Sequence, residues 1–411
     1  MSTAKGIHIT APKPALAPES FSVWLDTFRW IAACVVLISH AGGELLVNVS
    51  SLAPAQQTFP HLIYGFIAGF SHHAVMIFFV LSGLLVGGSF SKDLALDRVD
   101  LATYFVKRIL RLWIVLLPAL VLTFILFRLG QAVLPDSAVI YSPDRISSLG
   151  ISAFFCNAFF LQTVACQPYG GNGALWSLYN EFWYYVAFPV FALSLVSGFG
   201  NKSRLMRAAL VFVVLLVLTL LQFRMSPMLP YFLIWLMGVG VALAPKPVLV
   251  KSSLLSAVIF VVAVVFIRGF FGKAVTTHVS VAAFLADIVV GLLFSHLLVA
   301  MKHSARLVPP PGGGFHRWMA GFSFSLYCIH LPVLMLYAVT MQRIFGVGAR
   351  MTPSSPVHWL IVFGGLLLSI AVAYLFSLFT EARTDDVRQR VMKLLNLRKG
   401  GRVDAGQRES A

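Results

Sequence analysis

The chain has 411 residues, of which 59% are hydrophobic and 11% are charged, and its formal net charge is +16. A soluble protein carries about 25% charged residues, so this composition excludes an ordinary soluble domain and predicts an all-α polytopic membrane protein. The positive charge is explained by cationic loops facing anionic lipid, and without any RNA- or DNA-binding motif we expect no nucleic-acid partner.

Apolar stretches of spanning length recur along the chain, and we expect their helices to surround a central cavity. Ten stretches are predicted to cross the membrane: 22–46, 74–91, 110–129, 174–196, 207–222, 230–245, 253–271, 280–301, 318–342 and 357–380. An eleventh, residues 151–164, is shorter than the roughly 17–25 residues that a spanning helix needs. We expect it to be re-entrant or interfacial.

The distribution of basic residues predicts the orientation of the chain. With ten spans and a cytoplasmic N-terminus, 23 of the 31 Lys and Arg residues fall on the cytoplasmic side and seven fall outside, with Arg29 in the membrane. This predicts a cytoplasmic N-terminal tail (1–21), a membrane domain (22–380) with an external loop (130–173), and a cytoplasmic basic tail (381–411). An interfacial amphipathic helix is expected in that basic tail, from Asp385 to Leu397.

The four cysteines lack the spacing of a metal site, and we expect no metal. Cys156 and Cys166 lie in the external loop, where they either pair, if that compartment is oxidising, or stay as free thiols.

The first span carries Arg29 and His40, eleven residues apart. That spacing is about three helical turns, so both side chains leave the same face, roughly 16 Å apart along the axis. Charged and titratable residues inside a membrane are costly and mark substrate or ion pathways. The structural alternatives are an Arg29 that extends to the interface and a His40 that is hydrogen-bonded near a helix end. As a functional pair, His40 suits general-base catalysis and Arg29 suits phosphate or carboxylate recognition.

The second and third spans add a small-residue motif and a basic motif. The sequence FFVLSGLL (78–85) places Ser82 beside Gly83, a pair that permits close helix packing. Arg108 and Arg111 share one face of the third span at its cytoplasmic start. They either anchor the helix on the positive side or bind a phosphorylated cytoplasmic ligand.

The fourth and ninth spans carry the remaining candidate residues. Glu181 is a buried acid in ALWSLYNEFWYY, where Trp176 and Tyr184 are ligand contacts or part of an aromatic belt. In FSFSLYCIHLP, Ser323, Tyr327 and His330 recur at spacings of four and three and share a face. Asp287, in the eighth span, is a lone acid that suits structural hydrogen bonding equally well.

Five motifs in this order resemble the acyltransferase-3 family of integral membrane O-acyltransferases. They are R-x10-H (Arg29, His40), FFVLSG-L (78–84), R-x-x-R (Arg108, Arg111), WSL-x-x-E-x-x-YY (176–185) and S-x-x-x-Y-x-x-H (Ser323–His330). The resemblance extends over residues 22–381 and is to the stand-alone form of the family, without a fused hydrolase-like domain. The sequence departs from the family pattern at Ala74, Phe324 and Glu-Ala-Arg (381–383), and the last departure puts the role of Glu381 in doubt.

The resemblance implies transfer of an acyl group, usually acetyl, from cytoplasmic acyl-CoA to a hydroxyl on a sugar. Expected acceptors are an exported glycan, a lipid-linked saccharide or a glycosylated metabolite, and the expected location is the bacterial inner membrane. Arg29 and His40 match the family's essential pair. The acyl-CoA is expected to bind Arg29, Arg108, Arg111 and Ser82.

The catalytic roles follow from the chemistry of acyl transfer. His40 is predicted to act as the general base, with Glu181 orienting its imidazole, and Ser323 or Tyr327 is predicted to donate to the oxyanion. Trp176, Tyr184 and His330 are expected on the substrate side. The alternative function is a proton-coupled secondary transporter of a sugar or lipid, because buried His, Glu, Asp and Arg also suit a proton relay.

Overall fold

The structure, a computed structural model, describes residues 19–135, 137, 140–195, 206, 209–211, 213, 216–217, 228–247, 249–275, 281–348 and 350–396. These residues form helices joined by loops, with isolated bridges at Leu46–Met351 and Gln162–Cys166. The predicted all-α fold is confirmed. The helices are α1 (Glu19–Leu45), α2 (Phe59–Ala68), α3 (Ser71–Ser82), α4 (Gly88–Ala95), α5 (Leu101–Val133), α6 (Pro143–Ser147), α7 (Ile151–Ala158), α8 (Trp176–Leu195), α9 (Met228–Leu243), α10 (Ser253–Val275), α11 (Val281–Lys302), α12 (Gly313–Ala320), α13 (Ser323–Phe345), α14 (Pro356–Phe379) and α15 (Thr384–Leu394).

Seven helical segments of the described chain are long and apolar enough to cross a membrane. They are Glu19–Leu45, Phe59–Ala95, Leu101–Val133, Ser253–Phe270, Ala282–Lys302, Ser323–Phe345 and Pro356–Leu394. A shorter apolar helix covers Tyr231–Leu243, and α8 has 20 residues. The predicted span 207–222 lies largely outside the described residues, so the number ten stays a prediction, while the polytopic membrane class is confirmed.

Helix α13 lies at the centre of the bundle, packed against α1, α5 and α14. Most of its apolar residues are buried, whereas α10 packs mainly on α11 and exposes most of its surface. Both Arg29 of α1 and the start of α13 line one cavity, and His40 of α1 contacts His330 further along α13. The two helices therefore run in the same direction. We call the two ends of the bundle the Arg29 side and the His40 side.

The Ser-Gly motif of the second span lies where the chain makes its closest helix contact. Residues Gly83–Gly87 form a π-helical turn between α3 and α4, packed on α9. A Cβ atom on Gly83 would overlap the backbone carbonyl of Trp235, and one on Gly238 would overlap the carbonyl of Val80. The glycines therefore let the two backbones touch, as predicted for a small-residue packing site.

The loop 130–173 is folded against the bundle. Its helix α7 has eight residues, far fewer than a spanning helix needs. Cys156 and Cys166 form a disulfide. Trp113 Nε1 and Trp183 Nε1 donate to the carbonyls of Ala158 and Phe160 at 2.8 and 3.0 Å, which attaches the segment to α5 and α8.

An ion pair joins the same loop to the end of α1. Arg145 donates through two nitrogens to the Glu44 carboxylate, at 2.7 and 3.2 Å. At the other side of the bundle, α15 packs on α5 and buries Met392, so the predicted amphipathic helix is present as Thr384–Leu394. Residues 397–411 of the predicted tail and residues 1–18 of the N-terminal tail lie outside the described residues.

Candidate active site

A cavity enters the bundle between α1, α3, α5, α8 and α13, and encloses about 760 Å³, its open part included. Its polar lining comes from five different helices and the π turn adds apolar walls. Arg29, Arg111 and Glu181 supply the charges, and Ser82, Ser177, Tyr185, Ser323 and Tyr327 supply hydroxyl groups. Among the lining residues two arginines face one carboxylate, so the surface that a ligand would contact is cationic, which suits an anionic ligand.

Glu181 is the centre of a hydrogen-bond network in the cavity wall. Its carboxylate accepts from Ser82 Oγ at 2.8 Å and from the Tyr185 hydroxyl. Ser82 Oγ in turn accepts from Trp235 Nε1 at 3.1 Å. The network therefore fixes both Glu181 and Ser82 in position before any ligand binds.

Further charges surround Arg29. Asp26 Oδ1 lies 3.6 Å from Arg29 Nη1, and Arg111, Glu381 and Glu181 are the other charged groups that act on its guanidinium. Glu381 accepts from both the backbone nitrogen and Oγ of Ser325, each at 2.9 Å. Glu381 therefore has a definite structural role, holding the start of α13 beside Arg29.

Tyr327 connects the cavity to the His40 side. Its ring lines the cavity and lies 6.2 Å from the ring of His330, centroid to centroid. The Tyr327 hydroxyl donates to the Ala174 carbonyl at 2.8 Å, and since it has one proton, Ser177 Oγ is the donor in their 2.6 Å contact. Ser323 Oγ likewise donates to the Ala320 carbonyl. The predicted oxyanion donors, Tyr327 and Ser323, both use their protons on backbone carbonyls.

His40 and His330 form a histidine pair, with ring centroids 5.1 Å apart. His330 is 1% exposed, and its Nδ1 lies 2.9 Å from the Leu326 carbonyl. A carbonyl only accepts, so Nδ1 carries a proton, and in the neutral form of the ring Nε2 is therefore the acceptor. That Nε2 is buried and has no hydrogen-bond partner among the described residues.

The structure corrects the predicted placements of Glu181, Tyr184 and Arg108. Glu181 does not orient His40, because its carboxylate is held by Ser82 and Tyr185 in the cavity near Arg29. Tyr184 does not line the cavity, since α9 covers its side of α8 and the fully buried ring packs on Phe79, Phe232 and Trp235. Arg108 lies outside the cavity lining, above the Tyr104 ring, whereas its neighbour Arg111 lines the cavity.

A second polar cluster surrounds His72, a residue that the sequence analysis missed, although it named Asp287 and Trp176 separately. His72 Nε2 donates to Asp287 Oδ2 at 2.8 Å, and Asp287 is 1% exposed. Trp176 stacks on the His72 ring at 6.4 Å, so this predicted substrate residue belongs to the His72 cluster and not to the cavity. The two histidines that precede the FF motif were a signal for it, but their partner lies 215 residues away.

The fold is that of a polytopic membrane protein whose bundle contains a cavity lined by arginine, glutamate and hydroxyl side chains. The family model described as an acyltransferase domain, acyltransferase-3, matches residues 22–378. The chain belongs to that family, as the motifs predicted, and the predicted enzyme class, an acyltransferase, is confirmed.

Two curated relatives share part of the chain. An O-acetyl transferase of Shigella phage Sf6 is 31% identical over 174 residues, which are 42% of this chain and 46% of that protein. The regulator of hypoxia-inducible factor 1 of Caenorhabditis elegans is 28% identical over 193 residues, 44% of this chain and 35% of that protein. The matches therefore span less than half the length of either relative. No solved structure matches this chain.

Proposed function

We propose that the protein is an O-acyltransferase that moves an acyl group, most simply acetyl, from acyl-CoA to a hydroxyl of a sugar in an exported glycan, a lipid-linked saccharide or a glycosylated metabolite. One observation carries the proposal: a cationic cavity begins beside Arg29 and Arg111 and reaches Tyr327, which contacts the His40–His330 pair. The partial match to an O-acetyl transferase supports the same chemistry.

The donor phosphates are assigned to the Arg29 side. Arg29 and Arg111 line the cavity, and their planar guanidinium groups suit bidentate phosphate contacts. Arg108 lies one turn before Arg111 and adds positive charge at the approach. The positive-inside distribution supports placing this side in the cytoplasm, where acyl-CoA is present, and the proposal takes the membrane to be a bacterial inner membrane.

The extended part of the donor then follows α1 toward His40. Arg29 and His40 are eleven residues apart, which is roughly 16 Å along the helix. The pantetheine arm covers much of this distance between the apolar cavity walls, Phe78, Phe79 and Leu112 among them. The thioester carbonyl is thereby presented near His40.

His40 acts as the general base. It removes the proton from the acceptor hydroxyl while that oxygen attacks the thioester carbonyl, and the tetrahedral intermediate collapses by breaking the carbon–sulfur bond. The proton passes from His40 to the departing thiolate, so the products are the ester and CoA thiol. His330 takes the positioning role that the sequence analysis gave to Glu181, because its Nε2 acceptor can hold an N–H of the His40 ring.

The test compares His40→Ala with His358→Ala, a histidine near the start of α14 that contacts the Ser354 nitrogen and lies away from the cavity. Both are expressed in a deletion strain, and acylated envelope glycans are measured by mass spectrometry. We expect His40→Ala to lower acylation at least about 100-fold, the range of a lost general base, with His358→Ala unchanged. Full acylation with His40→Ala at equal expression would refute the assignment.

Donor binding is tested separately with the purified protein. Acetyl-CoA and CoA should raise the unfolding temperature of the wild type and do so less for Arg111→Gln. An unfolding temperature that neither acetyl-CoA nor CoA changes would contradict an acyl-CoA donor and would fit the transporter alternative.

A further inference from the structure

A second, larger cleft opens on the His40 side, between the end of α1, α2 and the end of α10. It encloses about 2170 Å³, its open part included. Its lining includes Ser39 and Gly43 of α1, His61 of α2, His72 of α3, Arg268 of α10 and Arg350. None of the donor-cavity residues lines it, so the cleft is a separate site.

The charge of this cleft is positive. Arg268 and Arg350 contribute two permanent cations, and His61 and His72 contribute two imidazoles. Within the described part of the lining there is no Asp or Glu. Asp287, behind the lining, pairs with His72, so the uncompensated cations of the described lining are Arg268 and Arg350. Two arginines without a carboxylate partner among the described residues favour a ligand that carries a phosphate or carboxylate.

Backbone carbonyls hold Arg268 in place and leave some of its N–H donors unused. Its Nε lies 3.4 Å from the Phe66 carbonyl and its Nη2 lies 3.2 Å from the Gly65 carbonyl, both in the last turn of α2. A guanidinium has five N–H donors, and these contacts use two of them. Gly69 leaves the space that the guanidinium occupies, because a Cβ there would overlap it.

Gly43 connects the cleft with His40. It lies three residues after His40 on α1, so the two positions are neighbours on the helix surface. A Cβ on Gly43 would meet no atom within 4 Å, which means that the space beside it is open. A ligand bound in the cleft therefore meets no side chain at Gly43 itself, about one helical turn from His40.

We propose that this cleft binds the acyl acceptor and that the acceptor is an anionic, hydroxyl-bearing molecule. Its phosphate or carboxylate lies against Arg268 and Arg350, and its hydroxyl passes Gly43 to reach His40. This inference rests on the proposed function, which supplies the reaction, and adds the charge class of the acceptor and the place where it binds.

The probes are glucose 1-phosphate, glucuronate and uncharged glucose, added to the full-length protein in phosphatidylcholine nanodiscs. Binding is followed by the shift in unfolding temperature. We expect shifts with the two anionic sugars and none with glucose. Arg350→Gln is expected to raise the Kd of glucose 1-phosphate at least about tenfold, while Arg128→Gln, an exposed arginine paired with Gln131, leaves it unchanged. Arg268→Gln should also raise the Kd of glucose 1-phosphate. If this substitution unfolds the end of α2, which Arg268 bonds, the exposed Arg350 still provides a variant that tests the site.

Acetyl-CoA is measured in the same preparations. A wild-type shift with acetyl-CoA but none with the anionic sugars would overturn this inference and leave the proposed function standing. No shift with acetyl-CoA would instead count against the proposed function. Equal shifts in wild type and Arg350→Gln/Arg268→Gln would overturn the site.

Two further experiments test whether the bound anion is a lipid headgroup and whether the acceptor reaches His40 past Gly43. If nanodiscs containing phosphatidylglycerol abolish the sugar shift, the cleft holds a lipid headgroup and the acceptor assignment is wrong. Gly43→Leu should keep the glucose 1-phosphate shift but lower glycan acylation at least about tenfold, since it closes the open space beside His40. Unchanged acylation in Gly43→Leu would contradict the path.

Discussion

The ion pair between Glu44 and Arg145 should control the attachment of the loop 130–173 to the end of α1. The Glu44 side chain is 7% exposed and the Arg145 side chain is 21% exposed. Two nitrogens of Arg145 bond the two oxygens of Glu44, and Nη1 also donates to the Ile140 carbonyl at 2.8 Å. Glu44 lies one turn after His40, so the pair also fixes the end of α1 near the histidine pair.

The loss of unfolding free energy in each variant depends on which charged group stays buried without its partner. Arg145→Met removes both donors from a buried carboxylate, which costs about 3–5 kcal/mol of unfolding free energy. Glu44→Gln costs less, about 1–3 kcal/mol, because Arg145 keeps its bond to Ile140 and is reached by water. The double variant Glu44→Met/Arg145→Met buries no unpaired charge, so its loss should be smaller than the sum of the single losses.

The assay is a double-mutant cycle in which unfolding by sodium dodecyl sulfate is followed by tryptophan fluorescence. Arg128→Gln is the matched control: this exposed arginine bonds the neutral Gln131 and lies over the Phe124 ring, so its replacement should change stability by less than about 0.5 kcal/mol. Additive losses in the cycle, or an Arg145→Met variant as stable as the control, would show that the pair does not hold the loop.

Three other substitutions test the packing and the cavity network. Replacing Cys156 and Cys166 by Ala should lower stability by about 2–3 kcal/mol, from the chain entropy of a ten-residue separation, and a thermal scan with and without reductant measures the loss. Gly238→Ala should abolish the monodisperse peak in size-exclusion chromatography because its Cβ overlaps the Val80 carbonyl, whereas Gly240→Ala, which meets open space, should keep it. Ser82→Ala removes the donor to Glu181 and the acceptor for Trp235, so unfolding free energy should fall by about 1–3 kcal/mol; an unchanged value would mean that water replaces the hydroxyl.

Local patterns were enough to predict the membrane class and the family. The length of an apolar run decides whether a helix can span, and every backbone group is then paired within the helix itself. The shared face of Arg29 and His40 follows from helix geometry, and both side chains do point toward α13. The close helix contact at Gly83 could likewise be predicted from the sequence, because small residues permit close packing of helices.

The partners of the buried polar groups were decided by the tertiary structure. Glu181 was predicted to orient His40, yet it bonds Ser82, which is 99 residues away in the chain. His72 meets Asp287 across 215 residues, and Arg145 meets Glu44 across 101. Helical periodicity gives the angle between two side chains on one helix, but not the rotation of that helix against its neighbours. That rotation is determined by packing across the whole bundle, and it decides which acid faces which histidine.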